Sequence, residues 1–229
     1  MRAALLALLA MCAAGLAPGA RGQGEATADA EWPNAVVVTD FSNPGIAPSH
    51  WTLTLHRDGS GHFRSERGVA QGTEKDEMDV PNVDRDLQVN ADFANRVFQT
   101  ARQHHWFEEQ CESHLKVAFQ GWKKVSYKGP EGQGSCTFNY SKDREIQALG
   151  DQLMGVAETV LAGERLEMLL QHDPLGLDRE TEYLMEASKD GRLGQICAIK
   201  QILEKLEGDP AVLDRVRKRA RMLLAHAER

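Results

Sequence analysis

The stretch HHWFEEQCESH, residues 104–114, holds three histidines, three glutamates and a cysteine. Imidazole, carboxylate and thiolate groups are the side chains that ligate transition metals and move protons near neutral pH. On a helix, two ligands share a face when they stand at i and i+4. His104 with Glu108, and His105 with Glu109, have that spacing, and Cys111 with His114 adds another pair. The order is not the His-Glu-x-x-His zinc signature, because the glutamates follow the histidines. The structural alternative is a solvated helix end, docked on the core through Trp106 and Phe107, with Cys111 in a disulfide. Isolated His/Glu spacings arise often by chance, so the second reading is preferred and no metal ligand is assigned.

Three further groups have chemical potential. In the stretch WTLTLHRDGSGHFRSER, a register matching Leu55 with Phe63 sets His56 opposite His62, a pair that could hold copper or zinc. Gly59 and Gly61 fit a two- or four-residue turn better, and that register separates the histidines. Cys197 stands beside Ile196 on a helical stretch and reads as a small buried apolar residue. The only basic cluster is RVRKRAR, with Arg215, Arg217, Lys218, Arg219 and Arg221. Val212, Val216, Ala220, Leu223 and Leu224 form the apolar side of that helix. The charges are therefore either a solvated face or a docking surface for an acidic partner or anionic lipid. There is no phosphate-cradling glycine loop, Gly-x-Ser-x-Gly elbow, Cys-x-x-Cys or dinucleotide fingerprint, so no catalytic residue and no cofactor is assigned.

The elements that position these groups fall into two halves. AVVVTDF is a β-branched run, and WTLTLHRDGSGHFRSER is a hairpin. Residues 68–86 read as a loop. Asn90 caps a helix with Phe93, Val97, Phe98 and Ala101 on its apolar side. LKVAF, WKKVSYKG and SCTFNY alternate around the turn GPEGQG and read as a second hairpin region, with Gly121 a bulge. Beyond Ser141 the period changes from two to 3.6. Ile146, Leu149, Leu153, Val156 and Val160 mark a long helix ending near His172. A second helix follows Asp178 and ends at Gly191. A third spans about 193–207, and a fourth starts at Asp209 and Pro210. Strands followed by helices predict an α+β fold, an antiparallel sheet covered by helices on one face.

The order of hairpin, helix, hairpin and long helix, with the DGSG turn, resembles small secreted bacterial domains of unknown function. The resemblance spans residues 35–162. It implies an exported α+β domain and supplies no catalytic residues.

Export is also read from the first 22 residues. Arg2, an apolar run from Ala3 to Ala17 and a small-residue stretch up to Gly22 form the order of a secretory signal. The run is shorter than the roughly 20 residues of a membrane span. The expected organisation is a signal at 1–22, a flexible leader at 23–34, an α+β domain at 35–172 and a helical appendage at 173–229. The net charge of the whole chain is −7, and losing Arg2 and Arg21 makes it −9. That balance argues against general nucleic-acid binding. In an oxidising compartment Cys111, Cys136 and Cys197 leave one thiol over, and Cys111–Cys136 is the preferred bridge because both lie in the β half. The sequence thus predicts a secreted or periplasmic non-enzymatic module for a protein partner or envelope component. A metal-dependent or cysteine hydrolase built on residues 104–114 is the alternative.

Overall fold

Alternation places Val37, Thr39 and Phe41 on one side of strand β1 (Val36–Ser42), where all three are buried. The computed structural model of the chain describes residues 35–66 and 82–227. The signal at 1–22, the leader at 23–34 and most of the loop at 68–86 lie outside the described residues.

Strands β2 (His50–His56) and β3 (Ser60–Glu66) form the expected hairpin, and β4 (Val83–Gln88) adds to its edge. Strands β5 (Trp122–Gly129) and β6 (Gly132–Phe138) form the second hairpin. Every neighbouring pair is antiparallel, and the order is β4-β3-β2-β1-β5-β6. With its helices this six-stranded sheet is an α+β fold.

One face of the sheet is apolar. Phe41 stacks on Trp51 with ring centroids 5.2 Å apart, and Trp51 lies 5.7 Å from Phe63. Helix α1 (Ala91–Gln103) lays Phe93, Val97 and Phe98 into this core. Its start is set as the sequence predicts: the Asp92 backbone N–H donates to Asn90 Oδ1 at 2.8 Å. Helix α2 (Arg144–His172) adds Leu153, Val156 and Val160. Burying each such side chain stabilises the fold by about 1.5–3 kcal/mol.

Helix α2 also serves a second core. Beyond Leu161 its buried residues, Ala162, Leu166 and Leu169, face helices α3 (Gly176–Lys189), α4 (Lys200–Gly208) and α5 (Asp214–Ala227). One long helix therefore carries the helical tail on the same rod that covers the sheet.

Four local expectations differ from the structure. β4 occupies residues read as loop: Val83 and Leu87 alternate inward, but Asp84, Arg85 and Asp86 mask the pattern. The third helix begins as a 3-10 turn at Ile196–Ile199 before α4, because Gln195 takes a left-handed backbone with φ 55°. Asp209 caps a turn, its Oδ1 accepting from Ala211 N at 2.8 Å, and α5 starts only at Asp214. The alternating LKVAF segment forms no strand, for a reason that concerns the candidate site.

Candidate functional site

Residues 104–114 do not continue α1. The helix ends at Gln103, and His105, Trp106 and Phe107 take left-handed backbones with φ 50°, 61° and 66°. Such a turn costs L-residues roughly 1–2 kcal/mol each. Burial of Phe107 and the stacking of Trp106 on Tyr127, centroids 4.5 Å apart, offset it. The i, i+4 spacing therefore has no helix to act on, and the predicted His104/Glu108 and His105/Glu109 faces do not form.

His104 is instead the hub of an acidic network. Its Nδ1 lies 2.7 Å from Glu109 Oε1 and its Nε2 3.2 Å from Glu145 Oε2, with Asp143 at 3.9 Å. Burial opposes its charge, but the hydrogen bonds to Glu109 and Glu145 prevail and raise its pKa above the ordinary histidine value. His114 turns away to Gln110, 2.7 Å distant. Cys111 is bonded to Cys136, with Cα atoms 5.7 Å apart, an ordinary separation for a disulfide. Among the described residues no group of three or more His, Cys, Asp and Glu side chains is arranged to hold a metal ion.

The bridge and two side chains fix the path from Glu112 to Gly121. Glu112 Oε2 accepts from Asn139 N at 2.6 Å and Oε1 from His114 N at 3.0 Å. Burial works against its charge, yet these backbone donors hold the carboxyl below its usual range. Asn139 answers from the end of β6: its Oδ1 accepts from Gln120 N at 2.7 Å and its Nδ2 donates to the Ala118 carbonyl at 3.2 Å. Gly121, at φ 116°, then turns the chain into β5 against the Phe41 ring. Asn43 Nδ2 donates to the Gln120 carbonyl at 3.2 Å and Leu115 N donates to Ser113 Oγ at 3.1 Å, so side chains rather than a strand ladder meet these polar groups of the segment. The apolar side chains that a strand would have buried therefore face out. Leu115, Val117, Phe119 and Trp122 are 50%, 42%, 50% and 45% exposed. Phe119 meets Trp122 edge-on at 5.8 Å.

Beside this ledge lies a cavity of about 320 Å³ between the β1–β2 loop, β5, α2 and the loop after α3. That last loop crosses α2 without an intervening side chain: Gly194 N donates to the Gly155 carbonyl at 3.0 Å. Ile46, Trp51, Met154 and Leu161 give the cavity an apolar wall. Lys123 also lines it and is only 2% exposed. Its Nζ donates to the Asn139 carbonyl at 2.8 Å and stands 5.4 Å from the Phe138 ring centroid. Burial lowers its pKa, against the opposing pull of Asp151 and Glu112. Parity could have found it: in WKKVSYKG, Lys123 shares the face of Val125 and Tyr127.

The remaining candidates lie apart from this end of the sheet. In the first hairpin His62 pairs with Thr54 rather than His56, the register set by the glycine turn. His62 is held instead by Asp84 at 3.1 Å and Asp86 at 2.8 Å. Cys197 is half-buried rather than buried, because the 3-10 turn leaves it at the wall of a cavity shared with Ser188 and His226. Burial pushes its thiol pKa up, the opposite of nucleophile activation. In the basic cluster, Arg215 and Arg219 both reach Asp178, at 2.6 and 2.7 Å. Arg217 and Lys218 reach Asp214 at 3.3 and 2.9 Å, and Arg221 reaches Glu207 at 2.7 Å. The contacts to Asp178 and Glu207 tie α5 to α3 and α4, and those to Asp214 lie within α5.

No protein-family model matches the chain, and no curated protein matches it significantly.

Proposed function

We propose that this chain is an exported, non-enzymatic binding module whose docking face is the ledge at Leu115, Val117, Phe119 and Trp122. The exposure of these four side chains carries the reading. Large apolar groups gathered on a soluble surface mark interaction sites, whereas singly scattered ones do not. The ledge is also held in place, by the disulfide, Glu112 and Asn139, so its ordering cost is met before a partner arrives. The partner is a protein or an envelope component with an apolar patch. A disulfide is what a chain in an oxidising compartment carries, which supports a secreted or periplasmic site of action. Among the described residues no helix is long and apolar enough to cross a membrane.

No specific observation favours the hydrolase alternative. Cys111 is oxidised and offers no thiolate, and His104 is occupied by carboxylates. The test is retention of the exported protein by washed envelopes. The parent chain is expected to sediment with them, and a Phe119→Ser, Trp122→Ser variant of unchanged fold to be released. Equal behaviour of the two would remove the ledge as docking face.

A further inference from the structure

We propose that the cavity beside the ledge binds a small carboxylate with an apolar body, its carboxylate received by Lys123 Nζ. The cavity holds about 320 Å³, at the small end of the range of roughly 300–1,000 Å³ typical of ligand sites.

Among the described residues four charged side chains line the cavity: Lys123, Asp151, Glu158 and Arg192. Glu158 already accepts from Arg165 at 3.0 Å and from the Tyr183 hydroxyl at 3.3 Å. Arg192 donates to Asp190 at 3.4 Å and to Tyr183 at 3.3 Å. Asp151 accepts from the Gln147 amide at 2.8 Å and is exposed, so water solvates it. Lys123 differs from all three. It is withdrawn from water, and its hydrogen-bond partner is a neutral carbonyl. An ammonium carries several N–H donors, and a buried one is costly unless an anion completes its shell. Burial depresses its pKa although Asp151 and Glu112 pull the other way through charge, and neither carboxylate makes a hydrogen bond to it.

A ligand carboxylate supplies what Lys123 lacks. The apolar wall specifies the rest of the ligand: Trp51 gives a flat surface, and Ile46, Met154 and Leu161 give aliphatic ones. Asp151 and Glu158 lie on the same wall and repel a second negative charge, so the ligand is a monoanion. Its apolar body displaces water from the cavity, and its carboxylate makes a charge-assisted hydrogen bond in low dielectric.

The test uses the disulfide-intact protein and three probes, hexanoate, phenylacetate and the neutral phenylacetamide. Calorimetry of the parent is expected to show saturable binding of at least one carboxylate, with phenylacetamide weaker by about tenfold or more. Lys123→Met is expected to abolish that preference. Absence of saturable binding by both carboxylates would overturn the proposal, as would equal affinity of acid and amide. If Lys123→Met does not fold, the parent labelled with nitrogen-15 lysine decides. The Lys123 ammonium resonance shifts on adding phenylacetate if the proposal holds, and an unmoved resonance in the presence of binding overturns it.

Discussion

Lys123 Nζ and the Asn139 carbonyl meet at 2.8 Å, while the Asn139 side chain holds the Ala118 and Gln120 backbone on its other side. One asparagine thus joins the floor of the cavity to the ledge. The two features follow from a single local solution to the end of β6.

The buried ammonium has a pH signature. Its folded pKa lies below the unfolded value, so the unfolded chain binds more protons between the two. The penalty is present below the folded pKa and is relieved as pH rises toward the unfolded value of about 10.4. Lys123→Met keeps the stem's packing and removes the charge. Its urea midpoint at pH 7 is expected to equal or exceed the parent's, by up to about 1 kcal/mol, with the gain shrinking by pH 10. A loss at pH 7 would contradict the burial argument.

His104 has the opposite sign. Its folded pKa is raised, so its contribution is complete below the unfolded value of about 6.5 and is lost as pH rises through the folded value. His104→Gln is expected to cost about 0.5 kcal/mol at pH 5.5, after allowance for the solvent around Glu145, and almost nothing at pH 8.5. Chemical denaturation at the two values checks this. Equal costs would show that His104 acts through packing alone.

The Cys111–Cys136 bridge closes a loop of 25 residues' separation. Cys111→Ala with Cys136→Ala is expected to lower stability by about 3 kcal/mol. The intact protein should weigh about 2 Da less than its fully reduced form. Hydrogen exchange in the variant should rise first between residues 112 and 121, the segment the bridge anchors.

Gly121 carries the turn into β5 at φ 116°, and a Cβ there would meet the Phe41 ring. Gly121→Ala combines backbone strain with a core clash and is expected to cost about 2–3 kcal/mol. A thermal scan beside Gly208→Ala, where nothing lies within 4 Å, isolates the effect.

Much of this fold is visible in the sequence where local chemistry and tertiary contact agree. The β2–β3 hairpin follows from alternation and the glycine turn, α1 from the Asn90 cap, and α2 from its apolar stripe. The disulfide matches the expectation drawn from the signal-like first 22 residues and the shared β half. Legibility fails where contact overrides pattern. LKVAF alternates like a strand, but Asn139 takes up backbone groups on either side of Phe119 and the segment is not one of the paired strands. The i, i+4 histidines presuppose a helix that the Trp106–Tyr127 stack bends into a left-handed turn. In β4, Arg85 stands where an apolar residue is expected because Glu164 and Glu167 of α2 receive it at 3.5 and 3.0 Å. The burial of Lys123 was readable by parity alone, and its meaning depended on a cavity built from four separate segments.

Photocrosslinking from position 119 tests the docking face most directly. A photoreactive residue replaces Phe119 in the full chain, with Glu204, exposed on α4, as the control site. One discrete adduct is expected from position 119 in intact cells, absent from position 204 and lost when Trp122 is changed to serine. Adducts of equal yield from both sites, or none from position 119, would contradict it.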